Sequence, residues 1–279
     1  MSDIHINQCI MNKYKITRGM RNGSFGQVYL AETTAPISQL VDKSVVIKII
    51  TKIKDKTEDR IKRDVYIPLL LNHENIVKIK DYHESSTHVY IIYPYISSSV
   101  DLSEKTLQEL DVSNTDNLTY LVSMMCQICD AIEYMHSKNV IHRDIKPKNI
   151  IISNQHAFLI DFDLACIIGN PNYFVKTKII GTPNYIAPEI WRRDDNINYK
   201  LADVYSFGVT LYYIFNGKKL PYDVHSVEKL EYKIRHDNPI MSKSSISAID
   251  NLVMSIIDKS PRLRPSIASI KQELQKLIQ

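Results

Sequence analysis

The chain has 279 residues, 44% of them apolar and 24% charged, a composition that suits one bilobal domain or two small ones with a real core. Its 35 basic and 31 acidic residues leave a net charge of +4 with no long Lys/Arg run, which argues against nucleic acid as a partner. The N-terminus lacks a basic-then-apolar leader and no stretch of 18 apolar residues occurs, so the expectation is no membrane span and an intracellular, cytoplasmic protein with reduced thiols.

In chain order, residues 14–96 have mostly the texture of strands. Residues 14–16 and 27–31 flank the turn Gly23-Ser24-Phe25-Gly26, and residues 44–50 form a short β-branched run typical of a buried strand. Residues 57–71 carry helical spacing, and residues 76–79 and 88–93 read as two further strands. Pro68 falls inside the helical stretch. It removes the bond to the Asp64 carbonyl at a cost of ~3 kcal/mol, which predicts a kinked or early-ending helix.

After Ser97-Ser98-Ser99 the texture turns helical. Residues 118–136 are amphipathic, residues 202–215 are apolar enough to be buried, and residues 246–257 and 267–278 complete the set. Cys126 and Cys129 make a C-x-x-C within the first of these. With no second pair at zinc spacing they read as core thiols, not as a metal or redox site. Asp101, Glu104, Glu109 and Asp111 could favour a basic peptide or could simply form a solvated acidic helix face.

The segment His142-Arg143-Asp144-Ile145-Lys146-Pro147-Lys148-Asn149 sets a carboxylate, an ammonium and an amide at fixed intervals in one loop with apolar flanks. It resembles the catalytic loop of the eukaryotic protein kinases, H-R-D-L-x-x-x-N. Other landmarks follow in order. Gly23 and Gly26 resemble the second half of the glycine-rich loop, Val45-Val46-Ile47-Lys48 resembles V-A-I-K, and Asp161-Phe162-Asp163 stands where D-F-G is found. Gly181-Thr182-Pro183-Asn184-Tyr185-Ile186-Ala187-Pro188-Glu189 is close to G-T-P-x-Y-x-A-P-E. The last form, with Lys146 two residues after Asp144, is similar to the serine/threonine class.

The resemblance covers roughly residues 14–278 and implies an α+β, bilobal fold. Residues 1–13 would be an extension, 14–96 a β-rich N-lobe with hinge, and 97–279 a mainly helical C-lobe, with no room for a separate regulatory domain. It implies an ATP- and Mg2+-dependent transferase acting on Ser/Thr of protein substrates, with those substrates as its partners and the chain a monomer.

By the same resemblance Asp144 is the base for the substrate hydroxyl, and Lys146 neutralises charge on the transferring phosphoryl. Asn149 and Asp161 hold magnesium, and Thr182 hydrogen-bonds Asp144 or Lys146. Met20, Arg21, Asn22, Gly23, Ser24, Phe25, Gly26, Gln27 and Val28 line the nucleotide, with Val46, Lys48, Asp64, Pro94, Ile96 and Ile151. Tyr93 is the gatekeeper, Glu189 pairs with Arg264, and Asp203 anchors the catalytic loop.

Four positions depart from the pattern: Arg21 for the first glycine, Asp64 for the glutamate that pairs Lys48, Pro68 one turn later, and Asp163 for the glycine of D-F-G. They open a second reading, a pseudokinase acting as a nucleotide- or protein-binding scaffold. Asp163 is expected to tolerate a left-handed backbone there. Arg143 before Asp144 suggests a phosphate-binding arginine, with Thr177 as the phosphosite and Lys178 as the competing, phosphate-independent contact.

Overall fold

The computed structural model describes residues 5–23, 26–34, 43–52, 58, 61–103, 111–170, 179–241, 244 and 246–279. The chain divides into two compact units, one of Met1–Asn72 with Val77–Ser97, the other of His73–Ile76 with Ser98–Gln279.

The first unit is built on an antiparallel sheet of β1 (Cys9–Ile10), β2 (Tyr14–Gly23), β3 (Gly26–Thr33), β4 (Ser44–Thr51), β5 (Asp81–Glu84) and β6 (His88–Pro94), in the order β1-β2-β3-β4-β6-β5. The β-branched run of β4 lies in the middle of the sheet, with both of its faces covered. Val45, Ile47 and Ile49 pack with Ile10, Tyr14 and Ile16 on one face. Ile50 packs with Val89, Ile91, Ile61 and Val65 on the other.

Ile61 and Val65 belong to the helical stretch. It is a π-helical turn, Lys62–Tyr66, running into the short helix α1, Ile67–Leu69. The expected disturbance around Pro68 is therefore present as a widened turn and an early end at Leu70.

The strand expected at residues 76–79 is displaced. Ile76 makes only a parallel bridge to Leu159, and the strand forms at β5. The polar sequence of β5 is tolerated because it is an edge strand, mostly exposed.

In the second unit β7 (Val100–Asp101) leads toward helix α2 (Thr115–Ser137), whose first turn is capped by the Asn114 side chain accepting from the Asp116 and Asn117 amides. Two small sheets follow: β9 (Ile150–Ser153) between β10 (His156–Leu159) and β7, and β8 (Val140–Ile141) against β11 (Cys166–Ile167). Helices α3 (Pro188–Arg192), α4 (Tyr199–Phe215), α5 (Val227–His236), α6 (Ser247–Ile256) and α7 (Ile267–Lys276) complete it.

Helix α4 is buried on nearly every side, as its apolar sequence requires. Gly208 lets α6 approach it: a Cβ there would collide with the Ile256 side chain and lie 2.9 Å from Ile257 Cγ2. Among the described residues no helix is long and apolar enough to cross a membrane.

Candidate active site

The loop from β8 to β9 is held from below by one carboxylate. Asp203, buried on α4, accepts from the His142 amide at 2.9 Å and His136 Nε2 at 3.0 Å through Oδ2, and from the Arg143 amide at 2.9 Å through Oδ1. Charge-assisted bonds of this kind hold Arg143 in a left-handed conformation, φ 65°, that a non-glycine residue rarely adopts. The backbone then turns Asp144 inward.

The Asp144 carboxylate is the meeting point of the loop and the later segment. Oδ1 accepts the Thr182 amide at 3.0 Å and the Thr182 hydroxyl at 2.7 Å. Oδ2 accepts Lys146 Nζ at 2.6 Å and Asn149 Nδ2 at 3.1 Å. Lys146 Nζ also donates to Thr182 Oγ1 at 2.6 Å. Asn149 Nδ2 additionally reaches the Asp144 carbonyl at 2.9 Å, so its amide nitrogen is committed and its orientation set.

Asn149 also fixes the next element. Its carbonyl accepts the Ile160 amide at 3.0 Å, one residue before Asp161. His142 takes the Asp144 amide on Nδ1 at 3.3 Å and directs Nε2 to the Ile160 carbonyl at 3.1 Å, while its ring lies 4.9 Å from that of Phe162. This pattern assigns the proton to Nε2. Asp161 is exposed and has φ 67°. The left-handed residue of this motif is thus Asp161. Asp163 is buried without a positive φ, so the backbone tolerance expected of it is not called upon.

The segment after residue 178 is packed tightly onto the loop. At Gly181, φ 125°, a Cβ would lie 2.8 Å from the Arg143 carbonyl and 3.2 Å from Ile186 Cγ1. Tyr185 is buried, and burial, with Tyr213 and Asp144 nearby, pushes its hydroxyl pKa up so that it stays protonated. Glu189 on α3 forms a two-pronged, buried pair with Arg264, Oε1 to Nη1 and Oε2 to Nη2 both at 2.7 Å. Thr177 and Lys178 lie outside the described residues.

In the first unit Lys48 sits on β4 opposite Val28 on β3 and Ile91 on β6, and Val46 sits opposite Leu30 and Tyr93. These residues share the sheet face that carries the π-turn. Lys48 Nζ lies 3.7 Å from Asp64 Oδ2, with the two side chains 11% and 1% exposed. Of the glycine-rich loop, Gly23 pairs with Gly26 across β2 and β3, Asn22 with Gln27, and Arg21 with Val28; register shifts flank Thr17 and Met20. Ser24 and Phe25 lie outside the described residues. Pro94 ends β6 opposite Val45, Ile96 follows it in irregular chain, and Ile151 lies on β9 opposite Phe158.

Residues 14–274 match the family described as the protein kinase domain. The chain belongs to the protein kinase family. A protein of Acanthamoeba polyphaga mimivirus, named as a candidate serine/threonine-protein kinase, is 42% identical over 267 residues, covering 95% of this kinase and 94% of the viral chain. CBL-interacting serine/threonine-protein kinase 8 of Arabidopsis thaliana is 34% identical over 269 residues, covering 94% of this kinase. The matched region is 57% of that plant protein and 26% of the serine/threonine-protein kinase PLK of Dictyostelium discoideum, which is 29% identical.

Three further polar residues, none given a role by the motifs, support this arrangement. His136 and His142 brace Asp203 and Ile160 from within the catalytic-loop neighbourhood. Asn75 donates to Gln127 Oε1 and to the Ala157 carbonyl, both at 2.9 Å, and its own carbonyl accepts the Leu159 amide at 2.8 Å. Each stands beside one apolar and one polar residue in the sequence, which by itself is a weak signal.

The acidic surface expected past residue 100 changes in one respect. Asp101 is buried, accepting from the Ser103 amide at 2.8 Å and from its hydroxyl, so it offers no surface charge. Asp111 is exposed, and Glu104 and Glu109 lie outside the described residues. Among the described residues no group of three or more His, Cys, Asp or Glu forms a ready-made metal cage.

Proposed function

We propose that this kinase domain transfers the γ-phosphoryl group of Mg-ATP to Ser or Thr hydroxyls of protein substrates. The observation that carries the reading is the Asp144 carboxylate held at once by Thr182, Lys146 and Asn149. A carboxylate so fixed accepts the proton of an incoming hydroxyl without having to find its orientation first. Lys146, 2.6 Å away, offers positive charge where the transferring group gathers negative charge.

The donor set suits a hard cation. Asn149 has its amide nitrogen committed to Asp144, which leaves its oxygen as a donor, and Asp161 supplies a carboxylate; magnesium takes such oxygens together with phosphate oxygens. Mg-ATP, when bound, brings the phosphoryl group and neutralises its charge. Lys48, held by Asp64, serves as the α- and β-phosphate contact, with Met20, Arg21, Asn22, Gly23, Ser24, Phe25, Gly26, Gln27, Val28, Val46, Pro94, Ile96 and Ile151 as nucleotide contacts.

A scaffold function without transfer is the second reading, and Arg21 in place of a loop glycine favours it. The Lys48–Asp64 pair argues the other way. Purified domain with radiolabelled Mg-ATP and a generic basic protein separates the two. Asp144→Asn should lower transfer by about 10²- to 10⁴-fold while nucleotide affinity stays within a few-fold, and Asp161→Asn should weaken both. Absence of transfer by the unmodified chain, with nucleotide still bound, would establish the scaffold instead.

A phosphate on Thr177 docking on Arg143 is the accompanying proposal for activation. Mass spectrometry after incubation with Mg-ATP, with Thr177→Ala assayed beside it, tests this.

A further inference from the structure

In an α-helix the amide of residue 68 would bond the carbonyl of residue 64. Proline has no amide hydrogen, and its ring pushes against that same carbonyl. Here residue 68 is a buried proline and residue 64 is the acid facing Lys48. The helix does not break at that point. It widens into the π-turn Lys62–Tyr66, of which Asp64 is the middle residue.

A π-turn closes its hydrogen bonds five residues apart instead of four, so the backbone bulges outward over the turn. Ile61 and Val65 are held in the core cluster with Ile50, Val89 and Ile91, which keeps the rest of the turn from rotating away. The bulge is therefore delivered at Asp64. Aspartate is shorter than glutamate by one methylene, about 1.5 Å along the side chain. Its Oδ2 nevertheless stands 3.7 Å from Lys48 Nζ, with 1% of the Asp64 side chain exposed.

We propose that Pro68 is a positioning residue for Lys48: by opening the π-turn at Asp64 it makes up for the short acid, so that aspartate at 64 and proline at 68 work as a matched pair. Two departures that each suggest a defective kinase thus offset one another. The inference rests on the reading of Lys48 as the phosphate contact and goes beyond it in assigning a role to a residue that touches neither lysine nor nucleotide.

The test is a cycle of Pro68→Ala, Asp64→Glu and the double variant, with Asp64→Ala as the reference. The readouts are kcat, KM for ATP, affinity for Mg-ATP by calorimetry, and Tm. A misplacement on the order of 1 Å costs up to about 100-fold in rate. Pro68→Ala, whose amide allows a regular α-turn, should lower kcat/KM for ATP about 10-fold or more while leaving Tm equal or higher.

Asp64→Glu alone should also lower it, because the longer acid over-reaches from a bulged turn. The double variant should recover to within about threefold of the unmodified chain, the length of glutamate replacing the reach of the bulge. A merely structural proline would move Tm and would not be rescued by glutamate. Pro68→Ala with unchanged kinetics, or a double variant no better than Pro68→Ala, overturns the proposal while Asp64→Ala is impaired. Full activity in Asp64→Ala would instead overturn the underlying reading of the Lys48 pair, whatever Pro68 does.

Discussion

Thr182 donates twice to the same oxygen of Asp144, through its amide at 3.0 Å and its hydroxyl at 2.7 Å. The amide bond needs only the backbone, but the hydroxyl also accepts from Lys146 Nζ at 2.6 Å and so ties Asp144 and Lys146 together. Thr182→Val keeps the shape and the amide and removes only that link. Hydrogen bonds to charged groups contribute about 1.5–3 kcal/mol, so kcat for phosphotransfer should fall roughly 10- to 100-fold with little change in KM for ATP. Thr182→Ser should stay within a few-fold. Equal losses in Val and Ser would mean that the methyl group matters and the hydroxyl does not.

The buried pair of Glu189 and Arg264 should act on stability and not on transfer. Arg264 additionally donates to the carbonyls of Leu201 at 2.9 Å and Asp258 at 2.8 Å, and its guanidinium lies 4.9 Å from the Tyr205 ring centre. Removing Glu189 leaves a charge buried among groups that cannot replace the carboxylate. Glu189→Ala should cost about 3–5 kcal/mol, which lowers Tm by roughly 10 °C for a domain of this size. A thermal melt checks it, and a drop under about 2 °C would show that the arginine finds water or another acid.

Much of this arrangement was legible because it depends on short-range order in the chain. Asp144, Lys146 and Asn149 lie within one loop, and the distant Asp203, Thr182, Glu189 and Arg264 each sit in a recognisable local motif that fixes where they point. The π-turn that places Asp64 beside Lys48 was not legible, since a proline specifies that a bond is missing but not how the turn is arranged around it. The misplaced strand has a similar cause. Ile76, Val77 and Ile79 have the β-branched pattern of a strand, yet Ile76 pairs with Leu159 in the second unit, and the edge position in the sheet goes to the polar β5. Asp101 looked exposed because it lies in a polar stretch, yet Ser103, two residues on, bonds it internally.

The thiols provide a check on packing independent of activity. Cys9 is exposed, whereas Cys126, Cys129 and Cys166 are buried. Burial is the main cause that pushes the Cys126 thiol from the ordinary 9.0 up to about 11, and it raises Cys129 well above its ordinary value too. One thiol should react with a disulfide reagent in the native protein at pH 8 and three more on unfolding. The sign for stability follows from the raised folded value: the contribution is intact below about pH 9, and it is lost as pH climbs from 9 toward 11, because the unfolded chain releases the proton first. Urea melts at pH 8 and pH 10 measure it, and Cys126→Ala should flatten part of that dependence.

At Gly181 the later segment comes into close contact with the loop that carries Asp144. Its φ of 125° is one that side chains rarely adopt, and an added Cβ would meet the Arg143 carbonyl at 2.8 Å, where the opposing atom is backbone and has no rotamer to change. Arg143 cannot move away easily either, because its amide is bonded to the buried Asp203 and its Nε donates to the Leu164 carbonyl at 2.5 Å. The strain must therefore shift Gly181 and, with it, the adjacent Thr182 that holds Asp144. Gly181→Ala should lower kcat at least 10-fold through this displacement, with a misplacement of about 1 Å sufficient for more, while nucleotide affinity remains near that of the unmodified chain. Gly19 supplies the contrast, since a Cβ there meets nothing within 4 Å. Gly19→Ala should leave the melting temperature within about 2 °C of wild type, as a surface substitution of ±0.5 kcal/mol would. If the two alanine variants behaved alike in phosphotransfer, close approach at Gly181 would not be what sets the position of Thr182.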